Sequence, residues 1–464
     1  MTEQPKQAKS KRQAESPSDK PCAVYFLSLE VERVLCFKDK QILNLSDGNG
    51  NPAQWTVILG NNGVGKTTLL RCLASVEVET AKDFTSDNSH IILSTDNISL
   101  WNDESILGKQ SAELNIYFAY GASLSSPNSI EQTTENKTEA FQTLEISLIF
   151  NSLFRALFPS PYGNREELLN LIHYGYGATR RTGETSLSEG INHGNSASLF
   201  LEGISLINAE EWLLQTDYSM RSASGKTRDR LQKQLNQIID VLKRILPDVE
   251  DIQIAPADEE RSRPTAEFLT PYGWVQLSSL GLGYRTMIAW MVDLAARLFQ
   301  RYPDSPDPLA EPAIVLVDEI DLHLHPKWQR TIMNFLTERF PNTQFIVTAH
   351  SPLVVQAAKN ANIVLLRREG DRVVIDNNPE IVDNWRVDQV LTSVFELPTA
   401  RPADVEPLLL QRQELLSQAH LSEADEAKLR ELEARIGTLP TGESPEDIKA
   451  MDIIRRAAKL LENS

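Results

Sequence analysis

An α/β fold built on a buried parallel sheet follows from three observations along this chain of 464 residues. Two short, almost wholly apolar runs, 55–59 and 313–317, have the length and composition of strands covered on both faces. Each ends where such strands carry chemistry. The first runs into a glycine-rich turn and the second into Asp318-Glu319. The helical pattern Leu69, Leu70, Leu73 follows the turn at once, so strand, loop and helix succeed one another.

The turn Gly60-Asn61-Asn62-Gly63-Val64-Gly65-Lys66-Thr67-Thr68 has the spacing of a phosphate-binding loop. Its glycines let the backbone curl so that N–H groups and the helix N-terminus point at a β-phosphate, with Lys66 reaching the β- and γ-phosphates. Thr67 offers a hydroxyl to Mg²⁺. An incidental lysine in a flexible turn is the plainer alternative, and the flanking strand and helix weigh against it. At the second strand end, Asp318 is placed to hold Mg²⁺ through its water shell and Glu319 to orient or deprotonate an attacking water. Acidic residues also end strands at ordinary turns, but here the upstream loop gives them a phosphate to serve.

Taken in order, residues 1–22 are polar, lack the apolar stretch of a signal peptide and read as a disordered leader. Residues 24–27, 29–34 and 41–45 read as strands. From about 76 to 272 the chain departs from the core pattern, and this stretch is expected to form an inserted, mainly helical subdomain. Within it, 123–138 is Ser/Asn/Thr/Glu-rich and reads as a mobile loop. The run Leu231, Leu235, Ile238, Ile239, Leu242, Ile245, Leu246 is an amphipathic helix stopped by Pro247. Arg221, Lys226, Arg228, Arg230 and Lys233 cluster near its start, either as a solvated face or as a contact for nucleic acid or an acidic partner. Upstream, Tyr174-Gly175-Tyr176-Gly177-Ala178-Thr179-Arg180-Arg181 reads equally as a strand-to-loop bend with exposed arginines or as a functional arginine element.

A second core stretch is expected over 273–380 and a helical C-terminal region over 381–464. Pro326 opens a helix, 344–348 is a strand ending at His350, and 362–366 and 372–375 are further strands. His323 and His325 lack the third ligand and regular placement of a zinc motif, which favours a structural loop over a metal pair. In the tail, Ser422-Glu423-Ala424-Asp425 and Ser444-Pro445-Glu446-Asp447 announce helix starts, and Ile448, Met451, Ile454, Ala458 and Leu461 share one face.

The segment Leu277-Ser278-Ser279-Leu280-Gly281-Leu282-Gly283-Tyr284-Arg285, ahead of Asp318-Glu319 and of Thr348-Ala349-His350, completes an order of motifs that resembles the ABC/SMC class of ATPases. The resemblance implies a P-loop NTPase with an ABC-type ATPase head, the inserted subdomain and the helical tail, using ATP and Mg²⁺. It also implies that His350 contacts the γ-phosphate and that the signature caps the nucleotide of an opposing subunit. This signature departs from Leu-Ser-Gly-Gly-Gln, so either Ser278 or Ser279, and either Gly281 or Gly283, is left as the contacting pair. From residue 23 to about 368 the chain resembles the standalone ATPases of bacterial antiphage defence, nearest the Septu type, and Tyr174 to Arg181 carries a Tyr-Gly-x-x-Arg element seen in many of them. That family implies a homodimer or larger assembly and a separate nuclease of HNH type. The tail lacks the acidic strand-end cluster of the TOPRIM domains found in OLD-family relatives.

A formal net charge of −18 argues against a surface that tracks a phosphate backbone everywhere, so any nucleic-acid contact is local or delegated to the partner. The three cysteines, Cys22, Cys36 and Cys72, lack metal or disulfide spacing, and no apolar segment has bilayer length, so a cytoplasmic protein is expected. Competing readings are a DNA-repair ATPase resembling the RecF group, a scaffold locked by ATP with little hydrolysis, and a transporter ATPase, which lacks a membrane-coupling segment.

Overall fold

The computed structural model describes residues 23–82, 89–94, 112–120, 124, 142–150, 155–157, 165–180, 183, 194–257, 263–379, 386–395, 397, 399–400, 402, 404–418 and 421–436. The leader, nearly all of 123–138, Arg181, the second tail helix start at Ser444 and the helix expected over 448–461 lie outside them.

Two sheets pack around one apolar core. The strands are β1 (Val24–Glu32), β2 (Gln41–Asn44), β3 (Trp55–Gly60), β4 (Glu77–Lys82), β5 (Ser89–Ser94), β6 (Ala112–Tyr120), β7 (Gln142–Phe150), β8 (Arg155–Leu157), β9 (His173–Tyr176), β10 (Asp251–Ala255), β11 (Thr265–Thr270), β12 (Gly273–Gln276), β13 (Ala313–Val317), β14 (Thr343–Thr348), β15 (Asn362–Glu369) and β16 (Arg372–Asp376). The central sheet has the order β16-β15-β3-β14-β13-β9, parallel from β15 to β9 with β16 antiparallel at one edge. β3, β13 and β14 are buried along their whole length, as near-continuous apolar runs require. Because β14 separates β3 from β13, the turns after all three open on the same edge of the sheet.

The antiparallel sheet, β2-β1-β6-β7-β8, covers helix α1 (Lys66–Ala74) and one face of the central sheet. Leu29 and Val31 of β1, Leu114, Ile116 and Phe118 of β6, and Ile146 and Leu148 of β7 alternate into that core. Gln344 of β14 lies fully buried where β1 bulges between Phe26 and Ser28. Its amide donates to the carbonyls of Phe26 (2.8 Å) and Ala53 (3.3 Å), and its oxygen accepts from the Phe26 N–H (2.9 Å), joining the two sheets.

The inserted stretch is mixed rather than mainly helical. β6 and β7 extend the sheet begun by β1, and β9 adds a parallel strand beside β13, so that β1 and β13 are each paired on both sides. Helices α2 (Ala209–Ser222) and α3 (Gly225–Ile245) follow, then the three-stranded sheet β10-β11-β12, which leads into α4 (Leu282–Arg301). Leu235, Ile238, Val241, Leu242 and Ile245 are the buried face of α3.

The chain divides after Asn384 into a second unit. There the helices Glu406–Leu416 and Glu423–Ile436 meet through Leu415, Leu429 and Leu432. Ser422 and Asp425 cap the latter reciprocally: Ser422 Oγ accepts from the Asp425 N–H (3.2 Å), and Asp425 Oδ2 accepts from the Ser422 N–H (3.3 Å).

Candidate functional site

Residues from four parts of the sequence line one cavity of about 280 Å³: Asn62, Gly63, Gly65, Lys66, Thr67 and Thr68 from the glycine-rich turn, Glu319 after β13, His350 after β14, and Leu35 with Cys36 from the β1–β2 connection. Gly60, Gly63 and Gly65 have φ of 145°, 77° and 90°, a path closed to ordinary L side chains. Gly65 is also the N-cap of α1, which has no side-chain cap and no acidic residue in its first turn. The positive end of the helix is therefore left for an anion from outside.

Lys66 is buried, and its ammonium donates to the carbonyls of Gly60 and Asn61, both at 2.9 Å. Burial holds its pKa below the ordinary lysine value, opposed by the charges of Asp318, Glu319 and Asp321. An ammonium has three donors, so one remains for a ligand. The Thr67 hydroxyl donates to Asp318 Oδ2 at 2.8 Å, while Asp318 Oδ1 accepts from Thr348 Oγ1 at 2.7 Å. A hydroxyl and a carboxylate held side by side are hard oxygen donors of the kind Mg²⁺ takes, so this pair fits that ion.

Glu319 adopts a left-handed backbone, φ 49°, unusual for a side-chain-bearing residue. Its N–H donates to Thr348 Oγ1 at 2.7 Å, and its carboxylate lies 3.9 Å from His350 Nε2. Asp321 places His350 by accepting from its N–H at 3.0 Å. Ser351 then caps the next helix, its Oγ accepting from the Leu353 N–H. His325 caps the helix Pro326–Gln329 through Nδ1, which accepts from the Lys327 N–H at 3.3 Å. Among the described residues no cluster of three or more metal-ligating side chains is found.

Ser278, Ser279, Gly281 and Gly283 stand apart from this cavity. Leu277–Ser279 forms one 3₁₀ turn, and Gly281 is the N-cap of α4. Ser278, Ser279, Gly281 and Leu282 are exposed around that N-terminus. Gly283 has a different reason to be glycine: a Cβ there would stand 2.3 Å from the His323 carbonyl. Arg221, Lys226, Arg228, Arg230 and Lys233 are all exposed, with Arg221 paired to Asp217 at 2.7 Å.

Of the two readings of the segment 174–180, Arg180 excludes the exposed one. It is only 6% exposed, and its guanidinium donates to the backbone carbonyls of Asp318 (2.5 Å), Glu319 (2.8 Å) and Gly177 (3.2 Å). Burial pushes its pKa down to about 10, against the pull of Asp318, Glu319 and Asp321. Asp293 of α4 is fully buried as well, accepting from Tyr176 Oη (3.0 Å), Arg297 Nε (2.7 Å) and the Ile207 N–H (3.0 Å). The signal for the Arg180 site in the sequence is the pair Gly175 and Gly177, where a Cβ would strike residues 196–199; Asp293 carries no such signal. Among the described residues no helix is long and apolar enough to cross a membrane.

The family model described as "AAA domain, putative AbiEii toxin, Type IV TA system" matches residues 55–356. The Retron Ec83 probable ATPase of Escherichia coli is 36% identical over 187 residues, which are 39% of this chain and 34% of that protein. The Septu protein PtuA of Bacillus mycoides is 24% identical over 375 residues, 79% of this chain and 44% of that protein. The chain thus spans less than half the length of either relative. The solved SMC head domain from Thermotoga maritima is 14% identical, with a TM-score of 0.38 over 76% of this chain and 98% of that one.

Proposed function

We propose, because the chain belongs to the AAA-domain family whose model spans residues 55–356, that it binds and hydrolyses ATP as the regulatory subunit of a bacterial antiphage defence system. One observation carries the enzymatic half: the buried Lys66, the Thr67–Asp318 pair, Glu319 and His350 converge on a single cavity at the open edge of the parallel sheet. In this reading the backbone of the glycine-rich turn and the third Lys66 donor hold the β- and γ-phosphates. Thr67 and Asp318 hold Mg²⁺, which neutralises phosphate charge when bound. Glu319 orients the attacking water and takes its proton, and His350 contacts the γ-phosphate.

The exposed N-terminus of α4 suits a second subunit better than its own cavity, so the working unit is a homodimer or a multiple of it. Ser278, Ser279 and Gly281 then cap the nucleotide of the opposing copy, with Gly283 behind them. The names of the relatives, a retron ATPase and a Septu protein, support the defence reading. In that reading nucleotide state controls a separate nuclease. The surfaces left for that partner are the helical tail and the basic residues from Arg221 to Lys233.

Glu319→Gln is the direct test. It should retain binding of a labelled ATP analogue while single-turnover hydrolysis falls about 100-fold or more. A wild-type rate in the variant places the base elsewhere. Co-purification from a host carrying the neighbouring genes, with and without the residues after Pro440, tests the partner. Metal-dependent DNA cleavage by this chain alone would refute the division of labour.

A further inference from the structure

Arg180 lies between two structures that belong to different parts of the proposed reaction. On one side its forked guanidinium binds the carbonyls of Asp318 and Glu319, the two residues that end β13. On the other, the guanidinium carbon is 5.8 Å from the ring centroid of Trp290, a fully buried residue of α4. Tyr176 completes the layer, edge-on to Trp290 with centroids 5.9 Å apart, its hydroxyl bound to Asp293 one turn further along α4. The turn that carries Arg180 continues β9, whose Tyr176 is the register partner of Val317.

Among the described residues the hydrogen bonds of Arg180 go to the Gly177, Asp318 and Glu319 carbonyls and not to a carboxylate. Its partners are neutral peptide carbonyls, an arrangement that spends a buried cation on fixing backbone rather than on joining charges. The backbone it fixes is an uncommon one. Glu319 holds φ at 49° with its N–H bound to Thr348 Oγ1 and its carbonyl bound to Arg180, so both sides of the residue are pinned. With the main chain set, the direction of the Glu319 side chain into the cavity is set too.

We infer that Arg180 is a positioning residue for Glu319: it touches no substrate, holds the base's peptide in its left-handed conformation and braces it against α4 through Trp290. This rests on Glu319 acting in hydrolysis as proposed above. A forked donor suits this place, because its two terminal nitrogens reach the Asp318 and Glu319 carbonyls separately while its carbon stays 5.8 Å from the Trp290 ring centroid.

Arg180→Lys and Arg180→Met, with Trp290→Leu on the far side, are measured for kcat, KM and analogue binding, alone and in the Glu319→Gln background. Arg180→Lys should lower kcat about 10- to 100-fold, with KM and analogue affinity within about twofold, since misplacement by about an ångström is what the chemistry feels. Arg180→Met should be lower still, and Trp290→Leu should shift kcat the same way. Placed on Glu319→Gln, Arg180→Lys should cost nothing more, because its effect runs through the carboxylate already lost. A further fall in that background, a wild-type kcat in Arg180→Lys, or parallel loss of affinity and kcat overturns the inference. If Arg180→Met does not fold, the lysine variant and its double mutant still decide. Glu319→Gln with a wild-type rate removes the premise instead, which separates the two failures.

Discussion

Replacing Lys66 by methionine separates nucleotide binding from folding. The ammonium is buried, gives two donors to the Gly60 and Asn61 carbonyls and has its pKa lowered by burial, so in the protein without nucleotide its charge is a burden. A folded pKa below 10.5 means that the unfolded chain binds the extra proton more readily, so stability rises with pH from the folded value up to 10.5. Lys66→Met should therefore keep or raise stability at neutral pH, and its stability profile should lack that rise. Nucleotide binding should move the other way. Two unit charges at about 4 Å in a medium of effective dielectric about 20 attract by about 4 kcal/mol, and desolvating the phosphate takes part of it back. A net loss of about 2–4 kcal/mol raises Kd for Mg·ATP by about 30- to 1000-fold. Equilibrium titration with a labelled analogue, beside chemical denaturation at neutral and alkaline pH, reads both effects. Unchanged affinity refutes the phosphate role, and lost affinity with lost stability refutes the separation.

Three further outcomes follow from the packing. Asp293→Ala leaves Arg297 and Tyr176 Oη without their shared acceptor and should cost about 3–5 kcal/mol in urea unfolding; a loss under about 1 kcal/mol would mean that water replaces the carboxylate. Gly65→Ala sets a Cβ 2.6 Å from Cys36 Sγ at φ 90°, so analogue binding should fall at least about tenfold while Gly63→Ala, with open space around it, falls less; equal effects would show that backbone strain alone matters. Ser278→Ala with Ser279→Ala should leave analogue binding intact but remove nucleotide-dependent dimers in light scattering, and persistence of those dimers counts against the signature's role.

The strands nearest the site were legible because each is an apolar run with a sharp chemical ending: 55–59 before glycine, 313–317 before two carboxylates, 344–348 before His350. β6 and β7 were legible only in principle. Leu114, Ile116 and Phe118 alternate plainly, but their partner β1 is about ninety residues upstream, and local periodicity does not say which sheet a strand joins. For Arg180 the sequence leaves an exposed bend and a functional arginine equally open. Its partners are main-chain oxygens up to 139 residues away, and main-chain oxygens leave no trace in a sequence. Gly283, one of the two glycines offered for the nucleotide contact, also has a packing reason to lack a side chain, the His323 carbonyl, a neighbour visible only in three dimensions.

The buried amide of Gln344 bears on how this protein is cut for study. The family match begins at residue 55, downstream of both β1 and β2, and stops at 356, before β15. A fragment trimmed to that span would strip Gln344 of the Phe26 peptide that it both donates to and accepts from, and would leave β3 bare along the edge that β15 covers. The span of the family match is thus smaller than the set of strands that pack against it. Fragments intended for crystallisation, exchange mapping or grafting into a related chain should carry residues 23–379 intact, because Leu35 and Cys36, both upstream of residue 55, line the cavity beside the glycine-rich turn.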